Sequence, residues 1–327
     1  MSSSAASEGA DASLITIPVI CGPTASGKSA IAMWLSLRRE ILVISADSRQ
    51  IYRGFDLGTA KPSREEQSRV PHRGLDVAEP TERFSAHQWA ELAQRAIDEA
   101  DVAGRIPVVV GGTGFYIGSL FRPLWAQPEL DAGRRVALQE ELSPLSIDEL
   151  RRWCETLDPS RAHLGRAQLL RAIEVALLTG ERLSDLHVAH ARPATYQPSY
   201  LLVDPGLELP ARIAARATSM LDAGWDDEVR RLIGEVSSDA PAWNATGYDA
   251  IRQLVQGRLD RAAALDRVVI ETRQYAKRQR TWFRHQLAGS PVQRLVSSAP
   301  GWQETVDHWI TEIEATMRPS SDRGTAP

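Results

Sequence analysis

The sequence predicts an α/β fold: a P-loop parallel sheet flanked by helices, with a helical insertion domain and a helical C-terminal part. Short apolar runs at 14–21, 41–45 and 106–110 each end at turn residues, as buried parallel strands do. Helical periodicity at 30–38 and 85–101 connects these runs, and such alternation builds a parallel sheet with helices on both faces. The first run leads directly into an unbroken G-x-x-x-x-G-K-S motif.

The rest of the chain is divided by composition. The predicted segments are a disordered extension (1–13), the first part of the core (14–122), a proline-punctuated helical insertion (123–198), the completion of the core (199–317) and a disordered tail (318–327). The completing segment is predicted to hold strands at 200–203 and 292–296 and helices at 209–223, 226–233, 247–257, 260–286 and 302–316.

Composition favours a cytoplasmic globular protein. The apolar fraction is 43%, the charged fraction 24% and the formal net charge −4, so overall charge does not point to nucleic acid. Cys21 and Cys154 are far apart in sequence, which fits neither a disulfide framework nor a zinc site. No apolar run is long enough to span a bilayer, and the first residues lack the basic region of a secretory signal.

The G-x-x-x-x-G-K-S motif between a strand and a helix predicts a site for a diphosphate or triphosphate. Backbone N–H groups of the loop and the start of the following helix would face phosphate oxygens. Lys28 would reach the terminal phosphates, and the Ser29 hydroxyl would bind Mg²⁺. The predicted binding residues are Gly22, Pro23, Thr24, Ala25, Ser26, Gly27, Lys28 and Ser29.

Two further strands end at residues that could take part in catalysis or ligand binding. Asp47 could hold a Mg²⁺-bound water or accept a proton, although a carboxylate there could equally cap the next turn. The third strand runs into a Gly-Gly-Thr-Gly stretch at 111–114, where an ATP-hydrolysing enzyme usually has an aspartate. Glycines there would let backbone approach a ligand, and Thr113 offers a hydroxyl. His72, in a predicted loop, receives no role.

Positive charge is concentrated late in the chain. Residues 258–294 hold nine Lys/Arg against three Asp/Glu, a formal charge of +6. Arg273, Lys277, Arg280 and Arg284 share one face of a predicted helix, with aromatic residues interleaved. A solvated helix face explains most such runs. In an otherwise acidic protein, contact with a nucleic-acid backbone is the other explanation.

Several segments together resemble the tRNA dimethylallyltransferases. They are GPTASGKS (22–29), DSRQIYRGFDLGTAKPS (47–63), PHRGLDVAEPTERFSAHQW (71–89), VVVGGTGFYIGSLF (108–121), LLRAIEVALLTGERLSDL (169–186) and ETRQYAKRQRTWFRH (271–285). The resemblance implies transfer of a dimethylallyl group from dimethylallyl diphosphate to N6 of an adenosine next to the anticodon of tRNA. It also implies a monomeric enzyme that binds nucleotide (ATP) and uses Mg²⁺. It implies catalytic roles for Asp47 and Thr113 and a clamp on the anticodon stem-loop for the insertion. The tRNA-binding residues it implies are Asp47, Ser48, Arg49, Gln50, Thr113, Arg135, Gln168, Arg171, Lys277, Arg278, Arg280 and Arg284.

The chain departs from the family pattern in two places. The stretch before Gln168 and Arg171 is about four residues shorter than usual, and the arginines usual around the Gly247-Tyr248 motif are absent. Other readings therefore stay open. An adenylate isopentenyltransferase would use free AMP, ADP or ATP as acceptor, a P-loop kinase would phosphorylate a metabolite, and a nucleic-acid binder would have lost catalysis.

Overall fold

Six strands form one parallel sheet in the described part of the chain. The computed structural model describes residues 14–122, 130–189 and 193–317. The predicted extension (1–13), tail (318–327) and first residues of the insertion (123–129) lie outside these ranges. The strands are β1 Ile15–Cys21, β2 Ile41–Ala46, β3 His72–Arg73, β4 Ile106–Gly111, β5 Tyr196–Val203 and β6 Val292–Leu295.

The strand order is β3-β2-β4-β1-β5-β6, which confirms the predicted parallel α/β fold. β1 lies in the middle, and the chain moves to one side of it for β2 and to the other for β5. Ligands of such sheets bind at the carboxyl ends of the strands, where the order reverses. The loops after β1, β2 and β4 therefore meet at one edge of the sheet.

Helices cover both faces of the sheet. All the α-helices of the described ranges, including those of the 123–193 segment, which do not belong to this layer, are α1 Lys28–Ser36, α2 Arg64–Arg69, α3 Ala86–Val102, α4 Gly114–Phe121, α5 Ala132–Leu142, α6 Ile147–Leu157, α7 Arg166–Thr179, α8 Leu183–Ala189, α9 Leu209–Asp222, α10 Trp225–Glu235, α11 Tyr248–Val255, α12 Arg261–Gln286 and α13 Trp302–Met317.

The core explains why the strands are apolar throughout. On one face, Val43 and Val108 pack with Ile31 of α1 and with Trp309 and Ile310 of α13. The alternate strand residues are equally buried and face α3 and α4 on the other side. Burial of both faces removes the polar alternation of an exposed sheet, which is the signal that predicted these strands.

The chain divides into two units. One holds the residues up to Arg122 and those from Ala194 onward, and the other holds residues 123–193. In the second unit, α5, α6, α7 and α8 pack around Leu150, Cys154, Leu169 and Ile173. Asp158 is fully buried there and accepts the Ser184 backbone N–H at 2.9 Å, which ties α6 to α8.

Two local expectations from the sequence are wrong, and the helix α4 had no expectation at all. His72 lies in the short strand β3, which pairs with β2, instead of a loop. Pro198 does not end the insertion, because β5 begins at Tyr196. β6 pairs only from Tyr200 onward, so Pro198 has a neighbouring strand on one side alone, where a proline is tolerated. The helix α4 was not predicted, because its glycines and aromatic residues carry no helical pattern.

Candidate active site

The loop 22–29, between β1 and α1, surrounds one end of a cavity of about 640 Å³. Gly27 has a φ of 97°, a left-handed conformation that suits glycine, and it caps α1 so that the helix begins at Lys28. The Lys28 ammonium donates to the Pro23 carbonyl at 2.6 Å and to Ser26 Oγ at 3.4 Å. Ser29 is exposed and lines the same cavity. The loop therefore directs a cation, a hydroxyl and a helix N-terminus toward one space, which suits an anion.

Asp47 lies between two cavities. It lines the large one and also a smaller one of about 60 Å³, and Thr24, Ala25 and Arg216 line both as well. One Asp47 oxygen accepts the Arg49 backbone N–H at 2.9 Å, so this carboxylate does cap the turn after β2. Asp47 therefore caps the turn and lines the cavities at the same time, and the capping bond fixes the position of its carboxylate at the cavity wall.

Thr113 joins the ends of β2 and β4. Its hydroxyl oxygen accepts the Ser48 backbone N–H at 3.0 Å, and its hydroxyl lies 3.3 Å from Ser48 Oγ. The Thr113 side chain is also hydrogen-bonded to the hydroxyl of Tyr275 on α12. Burial, together with the charge of Asp47, raises the pKa of Tyr275 to about 12, so this phenol stays neutral. Thr113 is thus held by hydrogen bonds to Ser48 and Tyr275, while Asp47, one residue before Ser48, is held separately by the Arg49 backbone.

Two cations, Lys28 and Arg216, lie close together and both line the large cavity. Desolvation, followed by the positive charge of Arg216, lowers the pKa of Lys28 to about 8 against the opposing effect of Asp47. Burial likewise lowers the pKa of Arg216, and Asp47 opposes that shift. Two desolvated cations facing one cavity are the arrangement that a strongly negative ligand stabilises.

The C-terminal part of the chain closes the loop 22–29 from two sides. Gln279 of α12 accepts the Thr24 backbone N–H at 2.8 Å. Ser297, just after β6, donates to the Ser26 carbonyl at 2.8 Å and accepts from Arg212 of α9 at 2.8 Å. Residues more than 250 positions apart in sequence therefore build one site.

Sequence reasoning missed Arg216, Gln279 and Ser297 as parts of the site. Arg216 stands one helical turn after Arg212, on the helix that follows the carboxyl end of β5, and that position is the only signal for it. Gln279 lies inside the KRQ stretch but was passed over because it is uncharged. Nothing around Ser297 distinguishes it in the sequence.

The glycines after β4 admit the helix α12, and Gly112 also lines the large cavity, as the sequence suggested. A Cβ at Gly112 would lie 2.2 Å from Nε2 of Gln279, and a Cβ at Gly114 would lie 2.2 Å from the Trp282 ring. Both contacts come from α12. The absent side chains therefore let α12 approach the end of β4.

The segment after Asp47 has structural partners of its own. The Gln50 amide donates to the carbonyls of Thr59 and Ala60 and accepts from the Ser45 hydroxyl. These bonds fold the 47–62 segment over the large cavity, which Gln50 also lines. Ser48 contacts Thr113, as described above, and Arg49 lines the small cavity.

The basic residues of α12 line a groove of about 470 Å³ against the start of α9, which we call the α12 groove. All four cations predicted to share a face do so; they are Arg273, Lys277, Arg280 and Arg284. Arg280 differs from the others because it is paired with Asp204 and also donates to the Gly206 carbonyl. Arg278 points elsewhere, with its guanidinium 5.7 Å from the centre of the Tyr275 ring.

Three predicted tRNA-binding residues belong to the 123–193 unit. Arg135 and Arg171 both pair with Glu174, whose side chain is 3% exposed. The Gln168 side chain accepts the Gly165 backbone N–H and caps α7. The two arginines therefore form one cationic group, held in place by a single buried carboxylate.

Neither a clustered metal site nor a membrane helix is found in the residues described. They contain no group of three or more His, Cys, Asp or Glu side chains arranged to hold a metal ion. A P-loop Mg²⁺ does not need one, since it takes a single Ser or Thr hydroxyl together with phosphate and water oxygens. None of the helices in the described ranges has the length and apolar character to cross a bilayer.

Comparison with known proteins identifies the family. A family model described as IPP transferase matches residues 50–286, more than half of the chain, and one described as isopentenyl transferase matches residues 15–73. The chain belongs to the IPP transferase family. The resemblance noted from the sequence motifs is thereby confirmed.

Curated relatives in the IPP transferase family extend over most of the chain. The tRNA dimethylallyltransferase of Deinococcus radiodurans is 38% identical over 284 residues, covering 85% of this chain and 92% of the relative. That of Gloeobacter violaceus is 41% identical, covering 91% and 97%. The IPP transferase model, which matches residues 50–286, includes the whole 123–193 segment.

Solved structures agree with the fold. A tRNA isopentenylpyrophosphate transferase from Staphylococcus epidermidis is 31% identical with a TM-score of 0.65, over 92% of this chain and 99% of that one. A eukaryotic dimethylallyltransferase acting on tRNA gives a TM-score of 0.76 at 22% identity, over 94% and 81%. At that identity the second likeness shows the fold alone.

Proposed function

We propose that this member of the IPP transferase family transfers a dimethylallyl group from dimethylallyl diphosphate to N6 of the adenosine 3′ to the anticodon in tRNA. The observation that carries the proposal is Asp47, which lines both the cavity at the loop 22–29 and the smaller cavity beside it. A carboxylate at that junction can serve an acceptor while the loop holds the donor's diphosphate. Relatives 38–41% identical are named for this activity.

The loop 22–29 would bind the leaving group. As the allylic C–O bond breaks, negative charge grows on the departing diphosphate, and carbocation character grows on the allylic carbon. Backbone N–H groups at the start of α1 and the Lys28 ammonium would stabilise the growing charge, which lowers the barrier. The Ser29 hydroxyl fits a Mg²⁺ ion, which when bound would neutralise further phosphate charge. Arg216 lies close enough to Lys28 to act on the same anion.

Asp47 would act on the nucleophile. The lone pair of an adenine N6 amine is delocalised into the ring, so the amine attacks only a strongly electrophilic carbon. When the N–C bond forms, the nitrogen must lose a proton, and the Asp47 carboxylate would accept it. Thr113 is itself held in place by its hydrogen bonds to Ser48 and Tyr275. It would position the acceptor beside Asp47.

The tRNA contacts would come from both units. Lys277 and Arg284 in the α12 groove would meet phosphates, with Arg278 beside Tyr275, and the Arg135–Arg171 group would serve the insertion's part in holding the anticodon stem-loop. Ser48, Arg49 and Gln50 would surround the extruded base, since a base inside a loop must leave its stack to reach a closed site. Arg280 would act indirectly, because it is already paired with Asp204.

A direct assay separates the candidate acceptors. The protein is incubated with Mg²⁺ and dimethylallyl diphosphate labelled in the isoprenoid, together with either unmodified tRNA or AMP. We expect label in tRNA, and nucleoside mass spectrometry should place it on N6 of the expected adenosine. Label in AMP alone would identify an adenylate isopentenyltransferase, and consumption of ATP with phosphorylation of a metabolite would identify a kinase. We further infer a monomer acting in the cytoplasm, which light scattering and cell fractionation would check.

A further inference from the structure

One side of the helix α12 carries the exposed cations of the α12 groove, and another side of the same helix is buried. Gln279 lies two positions after Lys277, yet its side chain is only 6% exposed. It stands among exposed or half-exposed charged residues at 277, 278 and 280. A buried polar side chain in such surroundings needs hydrogen-bond partners, because an unpaired buried amide is costly.

The partners of Gln279 are backbone groups of two different loops. Its carbonyl oxygen accepts the Thr24 N–H at 2.8 Å, and its amide nitrogen donates to the Gly112 carbonyl at 3.0 Å. Thr24 belongs to the loop 22–29, and Gly112 directly precedes Thr113. Both loops line the large cavity, as does Gln279 itself. The Gln279 side-chain amide therefore connects two loops that line the large cavity.

We propose that Gln279 is a positioning residue for the donor diphosphate, an inference that rests on the proposed function. It holds the loop 22–29 against the end of β4, so that the anion-binding groups of the loop and Thr113 keep a fixed separation. Without this bridge the loop has more conformations, and binding must order it, which costs affinity.

The chemistry of the bridge requires an amide. One end must accept and the other must donate, which a neutral Gln satisfies and an ionised carboxylate does not. An ionised Glu at 279 would place a negative oxygen against the Gly112 carbonyl. A protonated Glu would restore the same donor and acceptor pair in nearly the same shape. Burial raises the pKa of such a carboxyl by up to several units, toward the neutral pH range.

The test measures binding of dimethylallyl diphosphate by Gln279→Leu, Gln279→Glu and the wild-type protein, together with steady-state kinetics on tRNA. We expect Gln279→Leu to raise the Kd and KM for the isoprenoid by roughly tenfold, as expected for unpairing a buried hydrogen-bonding group. The Kd for tRNA should stay within about twofold, since the exposed cations are untouched. Gln286→Leu, an exposed position at the end of the same helix, is the matched control and should behave as wild type.

Gln279→Glu supplies a readout that a merely structural defect would not produce. We expect its KM relative to wild type to be high near pH 8 and to fall toward 1 near pH 6 as the carboxyl takes up a proton, whereas the ratio for Gln279→Leu stays constant. Because one variant is compared at two pH values, this result decides the question even if Gln279→Leu fails to fold. An unchanged Kd in Gln279→Leu, or a constant ratio in Gln279→Glu, would overturn the inference.

Failure of the proposed function would look different. A wild-type protein that binds no dimethylallyl diphosphate would contradict the proposed reaction and not the bridge. In that event inorganic diphosphate replaces the isoprenoid as the probe in the same three proteins. Equal affinity of all three for inorganic diphosphate would then refute the positioning role independently.

Discussion

The affinity of the protein for its proposed donor should fall steeply as pH rises above 8. Lys28 is the cation of the loop 22–29, and its pKa is lowered to about 8 by desolvation and by Arg216. A bound diphosphate brings opposite charge to Lys28, so its pKa is higher in the complex than in the free protein. Only the protonated form binds well, and raising the pH removes that form from the free protein.

The size of the effect follows from the pKa. With a pKa of about 8, the protonated fraction of Lys28 falls from about three quarters at pH 7.5 to about 3% at pH 9.5. The Kd for dimethylallyl diphosphate should therefore rise about 25-fold over this interval. Burial raises the pKa values of Cys21 and Tyr275 to about 12, so neither group titrates in this range.

Isothermal titration calorimetry measures both the affinity and the protons taken up. At pH 8, binding should take up about half a proton, seen as a dependence of the observed heat on the ionisation enthalpy of the buffer. The Lys28→Met variant should bind dimethylallyl diphosphate weakly at pH 7.5, and its Kd should change little up to pH 9.5. Lys28→Arg keeps its charge throughout this range and should also lose the pH dependence.

Two results would refute this reasoning. A wild-type Kd that stays constant between pH 7.5 and 9.5 would mean that Lys28 either keeps its proton or does not bind the anion. An equal slope in Lys28→Met would assign the titration to another group.

Three further predictions concern other parts of the protein. Asp47→Asn should lower the single-turnover rate by ~10²–10⁴ while tRNA still binds, and near-normal turnover would show that Asp47 is not the base. Lys277→Ala should weaken tRNA binding and reduce the slope of log Kd against log salt by about 1, whereas an unchanged slope would make the α12 groove ordinary solvated surface. Gly114→Ala places a Cβ 2.2 Å from Trp282 and should destabilise the fold by ~1–3 kcal/mol in urea unfolding. The control Gly234→Ala, with nothing within 4 Å of the new Cβ, should be neutral or slightly stabilising, and equal losses in both would contradict the packing argument.

The sequence predicted the parts of the fold whose signals are local. The strands β1, β2 and β4 are continuous apolar runs because both of their faces are buried. The loop 22–29 was predicted because its glycines, lysine and serine stand at fixed spacing between a strand and a helix. The shared face of the α12 cations followed from helical periodicity alone.

The parts that escaped prediction depend on contacts between distant segments. The bond between Thr24 and Gln279 joins residues 255 positions apart, and no local pattern encodes such a pair. The glycines at 112 and 114 look identical whether a ligand or a helix approaches them, and only the path of α12 decides between the two. The sequence places the start of this strand at 200 instead of Tyr196, because the tolerance of Pro198 in a strand depends on which neighbouring strand is missing.

The fastening of the loop 22–29 by Ser297 has a consequence for how the protein is made. The motif leaves the ribosome well before Ser297, the serine that holds it, and before β6 and α13, which lie more than 260 residues further along the chain. Folding during synthesis can therefore form the first strands while the anion pocket stays unfinished. A polypeptide terminated before Ser297 would contain the whole glycine-lysine-serine signature and still lack a competent pocket, so it would not compete for the proposed donor.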